Sequence, residues 1–167
     1  MLRYIRSFLT ARSFCIRTGN HVSKSYTNDR GVPQGSILAP VLFNLAMAGL
    51  PTLLQEIDRL RFTVYADDIT LWITAGSLRL QQESIQRGLT IIERHLSGFG
   101  LSLSPDKTQY VVVASKAELR DQPAQCMQLF LGGTRIYPTP ELKILGLLIT
   151  EDGRADAWLK RTQRTVK

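Results

Sequence analysis

Cysteine and histidine are scarce in this chain, with two of each in 167 residues. Cys15 and Cys126 lie far apart, and neither sits in a Cys-x-x-Cys pair or near a histidine at ligand spacing. That argues against a zinc site or a disulfide framework and fits a reducing, intracellular setting, nucleus or cytoplasm. His21 and His95 are isolated and read as surface or packing residues. The longest apolar stretch, Ile37 to Leu50, is short for a bilayer crossing, so no membrane role is expected. Repeats, low-complexity tracts and linkers are also missing. With 44% hydrophobic and 21% charged residues, the chain has ordinary globular composition for one domain or less.

Carboxylates are almost absent from both ends. Residues 1–30 hold Arg3, Arg6, Arg12, Arg17, Lys24 and Arg30 against Asp29 alone. Residues 154–167 hold Arg154, Lys160, Arg161, Arg164 and Lys167 against Asp156. Since the whole chain carries +7, the middle is slightly acidic. Basic ends around an acidic centre suit a protein that grips phosphate backbones and does chemistry between them. An Arg-rich, acid-poor start from methionine also fits a mitochondrial presequence.

The acidic centre has a focus at Tyr65-Ala66-Asp67-Asp68. Phe62, Thr63 and Val64 lead in and Ile69 to Ile73 lead out, β-branched, aromatic and apolar residues on both sides of a two-residue break. This is a β-hairpin pattern. Aspartate tolerates tight-turn backbone angles, so a plain solvated turn is one reading. The other is a metal site, because two adjacent like charges repel until a cation neutralises them.

Upstream, Arg30-Gly31-Val32-Pro33-Gln34-Gly35-Ser36 reads as a loop, with two glycines and a proline close together. Its glycines permit close backbone approach to a ligand, and the Gln34 amide both donates and accepts hydrogen bonds. The following segment, Ser36 to Leu50, reads as a helix with Leu38, Val41, Leu42, Leu45 and Leu50 on one buried face. Pro40 fits its first turn, and Pro51 is expected to close it. An ordinary loop capping a core helix is the bland alternative.

Further along, Leu78, Ile85, Leu89, Ile92 and Leu96 recur at helical spacing, with Gln81, Gln82, Glu83, Arg87 and Glu93 between them. That predicts an amphipathic helix laid on a sheet and ended at Gly98 and Gly100. Thr108 to Val113 reads as a strand with Lys107 at its start. Leu129 to Leu131 and Arg135 to Tyr137, around Gly132-Gly133, form another candidate hairpin. Leu142 to Ile149 reads as an almost unbroken buried strand ended by Asp152-Gly153, followed by a basic helix.

Together, and in this order, these motifs resemble the reverse transcriptases, most closely those of non-LTR (LINE-type) retrotransposons. Gly31-Val32-Pro33-Gln34-Gly35-Ser36 resembles their motif B, and Tyr65-Ala66-Asp67-Asp68 their motif C. Leu101-Ser102-Leu103-Ser104-Pro105-Asp106-Lys107-Thr108 resembles motif D, and Leu142-Lys143-Ile144-Leu145-Gly146-Leu147 motif E, the primer-grip hairpin. Ala66 before the aspartate pair and Pro33-Gln34-Gly35-Ser36 are in the non-LTR style. Ala39 stands where the family often has serine, and Ser104 where motif D usually has asparagine. Tyr4, Ile5, Phe8 and Leu9 look like the helix and hairpin that precede motif B.

The resemblance implies an α+β fold, a partial polymerase palm with an antiparallel sheet and helices on one face. Residues 1–150 would be partial fingers and palm, and 151–167 the start of a thumb or a connecting basic helix. It also implies RNA-directed DNA synthesis from an RNA template, a DNA primer and dNTPs, by two-metal nucleotidyl transfer with Mg²⁺ or Mn²⁺. Asp67 and Asp68 would be catalytic metal ligands, and Lys107 would sit near the incoming phosphates. Tyr65 would pack beside the primer end, with Pro33, Gln34 and Gly35 lining the nucleotide and template pocket. The family's third carboxylate comes from motif A, a strand upstream of motif B, and no counterpart is found here. A fragment of a longer polymerase, inactive alone, is therefore expected. The rival expectation is a catalytically dead palm remnant that only binds nucleic acid. A cyclase or RNA-templated RNA polymerase is more distant, since the order of motifs B to E counts against it.

Overall fold

A computed structural model describes residues 2–28, 31–33, 35–113 and 127–153. The chain divides into two compact units, Met1–Ala48 and Gly49–Lys167. It is mixed α and β, and every sheet among the described residues is a two-stranded antiparallel pair.

The first unit opens with helix α1 (Leu2–Leu9), as Tyr4, Ile5, Phe8 and Leu9 predicted. Thr10 ends it, both its N–H (3.0 Å) and its hydroxyl (2.8 Å) donating to the Arg6 carbonyl. A narrow ribbon follows, made of β1 (Arg12–Phe14), β2 (Arg17–Thr18), β3 (His21–Val22) and β4 (Tyr26–Asn28). Strand β1 pairs with β4, and β2 with β3 around a turn at Gly19-Asn20. Between the two ladders, Ser23 N–H donates to the Ile16 carbonyl and Ile16 N–H to the Ser23 hydroxyl, both at 2.9 Å.

Helix α2 (Leu38–Met47) has Pro40 in its first turn, as expected. The buried face assigned to it needs correction: Val41 and Leu45 are more than half exposed, and Met47 is the residue that α2 buries. Leu-Ala-Pro-Val-Leu-Phe-Asn-Leu-Ala-Met is apolar nearly all round, so spacing alone could not select which side packs.

Pro51 does not close the segment either. It lies at the start of the next helix, α3 (Leu50–Gln55), where a missing N–H costs nothing. Leu38–Gln55 as a whole makes 18 residues of mean hydropathy 1.4, so by length and composition it reaches a bilayer span, which the shorter run did not. Of that stretch 17% is buried, Leu50 and Leu54 wholly so.

The second unit is organised by helix α4 (Leu78–Ser97). Its start is capped by the Ser77 hydroxyl, which accepts from Leu80 N–H at 3.4 Å. Its end closes with Leu101 N–H donating to the Leu96 carbonyl and Gly100 N–H to that of Ser97. Gly100 has φ 69°, the left-handed conformation this termination requires. The expected apolar stripe is real, with Leu89, Ile92 and Leu96 buried.

Helix α4 meets two hairpins. One is β5 (Arg61–Tyr65) with β6 (Asp68–Trp72), and the other is β7 (Leu129–Leu131) with β8 (Thr134–Ile136). Leu89 packs in one cluster with Met127, Leu129, Leu131 and Ile136, and Leu71 of β6 lies against it. Each such leucine contributes about 1.5–3 kcal/mol when taken out of water. Gln82, one of the polar residues between the apolar positions, reaches the residue just before β7, and Gln86 reaches β7 itself. Gln128 N–H donates to the Gln82 side-chain oxygen (2.7 Å), and Gln86 both accepts from Phe130 N–H (2.8 Å) and donates to its carbonyl (2.9 Å).

Two strand expectations need correction. Thr108–Val113 is not a strand alongside the β5–β6 hairpin; it makes a single parallel bridge, Tyr110 to Pro138. Tyr110 is held by local and long-range bonds in place of a ladder, its carbonyl accepting from Thr139 N–H (2.8 Å) and its hydroxyl donating to the Met127 carbonyl (2.7 Å). Leu142–Ile149 is a tight hairpin of β9 (Glu141–Ile144) and β10 (Leu147–Thr150), not one buried strand. Leu145 and Gly146, at φ 47° and 92°, form the turn between them. The basic segment 154–167 lies outside the described residues.

Gly88 lies where Leu60 and Leu71 come close to α4. A Cβ there would stand 3.0 Å from Leu71 Cδ1 and 3.1 Å from Leu60 Cδ2. Gly88→Val should therefore overpack this contact and lower stability by about 1–3 kcal/mol. A urea midpoint equal to that of the unsubstituted chain would show that the contact is loose.

Candidate active-site residues

Strands β5 and β6 pair in strict register, Phe62 opposite Leu71, Val64 opposite Ile69 and Tyr65 opposite Asp68. Directly opposed residues share a face, so Phe62, Val64, Ile69 and Leu71 form one side. They are half-buried, with Leu71 against the core. Tyr65 and Asp68 form part of the other side and are exposed. The ladder ends there, and Ala66-Asp67 is the two-residue loop.

The tip therefore presents both carboxylates to solvent within one turn of chain, with Tyr65 beside Asp68 at 63% exposure. Ala66 has φ 51°, and it is the tip residue with positive φ. Positive φ at the first loop position favours glycine, and alanine there is strained. The strain thus falls on Ala66, where the sequence had pointed to the tolerance of aspartate. Its effect is to hold the backbone leading into Asp67 in one unusual geometry.

Lys107 occupies the last position of a 3₁₀ turn, Pro105–Lys107, not the start of a strand. The turn is closed by Lys107 and Thr108 N–H groups donating to the Ser104 carbonyl, at 3.2 and 3.1 Å. Lys107 is exposed, and no hydrogen bond or ion pair joins it to Asp67 or Asp68.

Pro33 and Gly35 belong to the first unit, while Gln34 lies outside the described residues. Ser36 N–H donates to the Pro33 carbonyl (3.2 Å), and Gly35 has φ 84°. That angle lies in the left-handed region, which glycine adopts without steric cost. The Ser36 hydroxyl then accepts from Leu38 N–H (3.2 Å) and leads the chain into α2.

Sequence reasoning missed Arg12 as part of this loop, counting it as general positive charge. Its guanidinium donates to the Gly31 carbonyl at 2.8 Å, fastening β1 to the first glycine of the loop. The two residues are 19 apart, and no local period signals such a bond.

Two carboxylates on adjacent residues offer the hard oxygen donors that Mg²⁺ prefers, and their exposure leaves room for a substrate's phosphates. They fit a divalent cation in kind but are few in number. Among the described residues no group of three or more His, Cys, Asp or Glu converges. Two substitutions check the local geometry. Ala66→Gly should relieve the turn and raise stability by about 1 kcal/mol, read from the urea midpoint. Gly35→Ala should lower it by about 1–2 kcal/mol, since the φ of Gly35 disfavours any side chain.

Comparison with known proteins agrees with the motif order. Residues 1–149 match the family described as reverse transcriptase (RNA-dependent DNA polymerase). The probable RNA-directed DNA polymerase from transposon BS of Drosophila melanogaster is 30% identical over 62% of this chain and 12% of its own length. The RNA-directed DNA polymerase from mobile element jockey of the same fly is 24% identical over 87% of this chain and 16% of its own. The putative 115 kDa protein in type-1 retrotransposable element R1DM is 28% identical over 87% of this chain and 13% of its own. The chain thus spans about an eighth to a sixth of the length of these relatives. No solved structure matches it. The resemblance to non-LTR retrotransposon enzymes, drawn from four short motifs, is borne out by these matches, and the small antiparallel sheets with helices are compatible with it. This chain belongs to the reverse transcriptase (RNA-dependent DNA polymerase) family.

Proposed function

We propose that this chain is the metal-binding part of the palm of an RNA-directed DNA polymerase from a non-LTR retrotransposon. The observation that carries the reading is the exposed Asp67-Asp68 pair at a hairpin tip, in a chain of this family. In this reading Asp67 is the principal ligand and Asp68 the second, for Mg²⁺ or Mn²⁺. Divalent ions held there supply charge neutralisation at the triphosphate and a lowered pKa at the primer 3′-hydroxyl.

The chain's own residues do the rest by position. Tyr65, opposite Asp68, offers an exposed ring against which a primer terminus can pack. Lys107 carries a flexible ammonium suited to phosphate, able to offset charge or give a proton to departing pyrophosphate. Pro33, Gln34 and Gly35 offer backbone and amide groups to the nucleotide and template, on a loop that Arg12 holds through Gly31. RNA template, DNA primer and dNTPs are the proposed partners, in an intracellular setting.

Two carboxylates leave the coordination of a divalent ion incomplete, so a third is proposed to come from another segment of the polymerase. The same shortage favours a second reading, a remnant that binds nucleic acid without catalysis. Both readings predict that the 167-residue chain binds Mg²⁺ or Mn²⁺ weakly and does not extend a primer on an RNA template. Tight stoichiometric metal binding by this chain, abolished by Asp67→Asn, would mean that the ligand count is misjudged.

The two readings separate in a polymerase of the relatives' length that contains this chain. If the first holds, that protein synthesises DNA on RNA, and Asp67→Ala lowers the rate by about a thousandfold. Synthesis indifferent to Asp67→Ala would remove the catalytic assignment. A long protein that folds and binds RNA without any synthesis would favour the remnant.

A further inference from the structure

The ribbon of the first unit carries a feature that metal chemistry does not use. Phe14 of β1 and Tyr26 of β4 are directly opposite in the ladder, so their rings lie on one face. The ring centroids are 5.6 Å apart with planes 27° apart, a stacked pair. Both remain open to solvent, at 47% and 40% exposure. Lys24 Nζ stands 5.6 Å from the Tyr26 ring centroid. Arg17, on β2 of the same ribbon, is exposed as well. No carboxylate side chain occurs in the sequence before Asp29.

We infer that this ribbon is a stacking platform for unpaired nucleotides of a nucleic-acid strand. An exposed aromatic stack offers a π-face that any base can extend, and neighbouring cations take the phosphates that follow. A base inside a duplex is already stacked on both faces, so the platform selects single strands. Stacking accepts the π-face of every base, so little sequence preference is expected. Charge decides the occupant. A second copy of the chain would set one acid-free, basic ribbon against another, whereas a polynucleotide supplies the missing negative charge. The inference rests on the polymerase reading only for expecting RNA as the strand.

The test uses the 167-residue chain and three fluorescent probes of about 12 nucleotides: oligouridylate, an abasic ribose-phosphate strand and an RNA duplex. Anisotropy titrations at about 50 and 200 mM salt separate stacking from charge. The base-bearing strand should bind about tenfold or more tightly than the abasic one at either salt. Phe14→Ala with Tyr26→Ala should bring the two within about twofold, while Phe14→Tyr with Tyr26→Phe should keep the preference. Circular dichroism establishes that both double variants are folded, and the aromatic exchange keeps the test decisive if the alanine pair is not. Lys24→Gln should weaken both strands alike and lower the salt slope by about one.

An unsubstituted chain without base preference overturns the inference, as do a preference that survives the alanine pair in a folded protein and a duplex bound as tightly as the single strand. A dimer in sedimentation that dissociates in the alanine variant overturns it too, by placing a second copy on the face. Failure here is distinct from failure of the polymerase reading. The latter is decided by Asp67→Ala in the long protein, which leaves Phe14 and Tyr26 in place.

Discussion

Helix α4 packs against the β5–β6 hairpin at Leu71, and the exposed aspartate tip depends on that support. A two-stranded hairpin is at best marginal in water by itself. Here Leu71 lies against the core cluster, and Gly88 removes the side chain that would otherwise hold the helix away. The same helix secures the second hairpin by a different means. Gln82 and Gln86 bond to the main chain of Gln128 and Phe130, so backbone groups on that side of β7 are satisfied by side chains.

Small separate hairpins, not one broad sheet, are the consequence. Among the described residues each pair stands without a third strand, and the β5–β6 and β7–β8 pairs are backed by α4. The first unit shows how far this goes. Among the described residues Met47 is its buried apolar side chain, and the ribbon is held by its ladders, the Ile16–Ser23 exchange and the Arg12 bond to Gly31. A surface this open and this basic is suited to contact, and its role is different from that of the carboxylate tip.

The two carboxylates gain their position from a short chain of local causes. The register of the ladder, with Tyr65 opposite Asp68, fixes which face Asp68 occupies, and the strained Ala66 sets the turn that presents Asp67. The glycine-rich loop is shaped likewise, by Gly35 in a left-handed conformation and by the Ser36 hydroxyl at the entry to α2. At Gly35 a backbone requirement explains the residue type, whereas at Ala66 the same kind of requirement is met by a residue that it strains.

Much of this was legible in the sequence wherever a short period repeats. β-Branched, aromatic and apolar residues on both sides of Ala66-Asp67 marked β5 and β6, helical spacing marked α4, and Gly132-Gly133 marked the β7–β8 turn. The order of the Gly31–Ser36 and Tyr65–Asp68 motifs pointed to the family that the comparisons show. Where no period discriminates, only tertiary structure decided. The all-round apolar α2 could not declare that Val41 and Leu45 face outward, because burial depends on what stands opposite. Leu142–Ile149 reads as a continuous strand until Leu145 and Gly146 take positive φ, and Thr108–Val113 has strand composition but, among the described residues, forms a single bridge in place of a ladder. Arg12, Gln82 and Gln86 look like solvated polar residues because their partners lie 19 to 46 residues away. Periodicity records the local chain, whereas such bonds depend on which backbone groups the fold brings within about 3 Å.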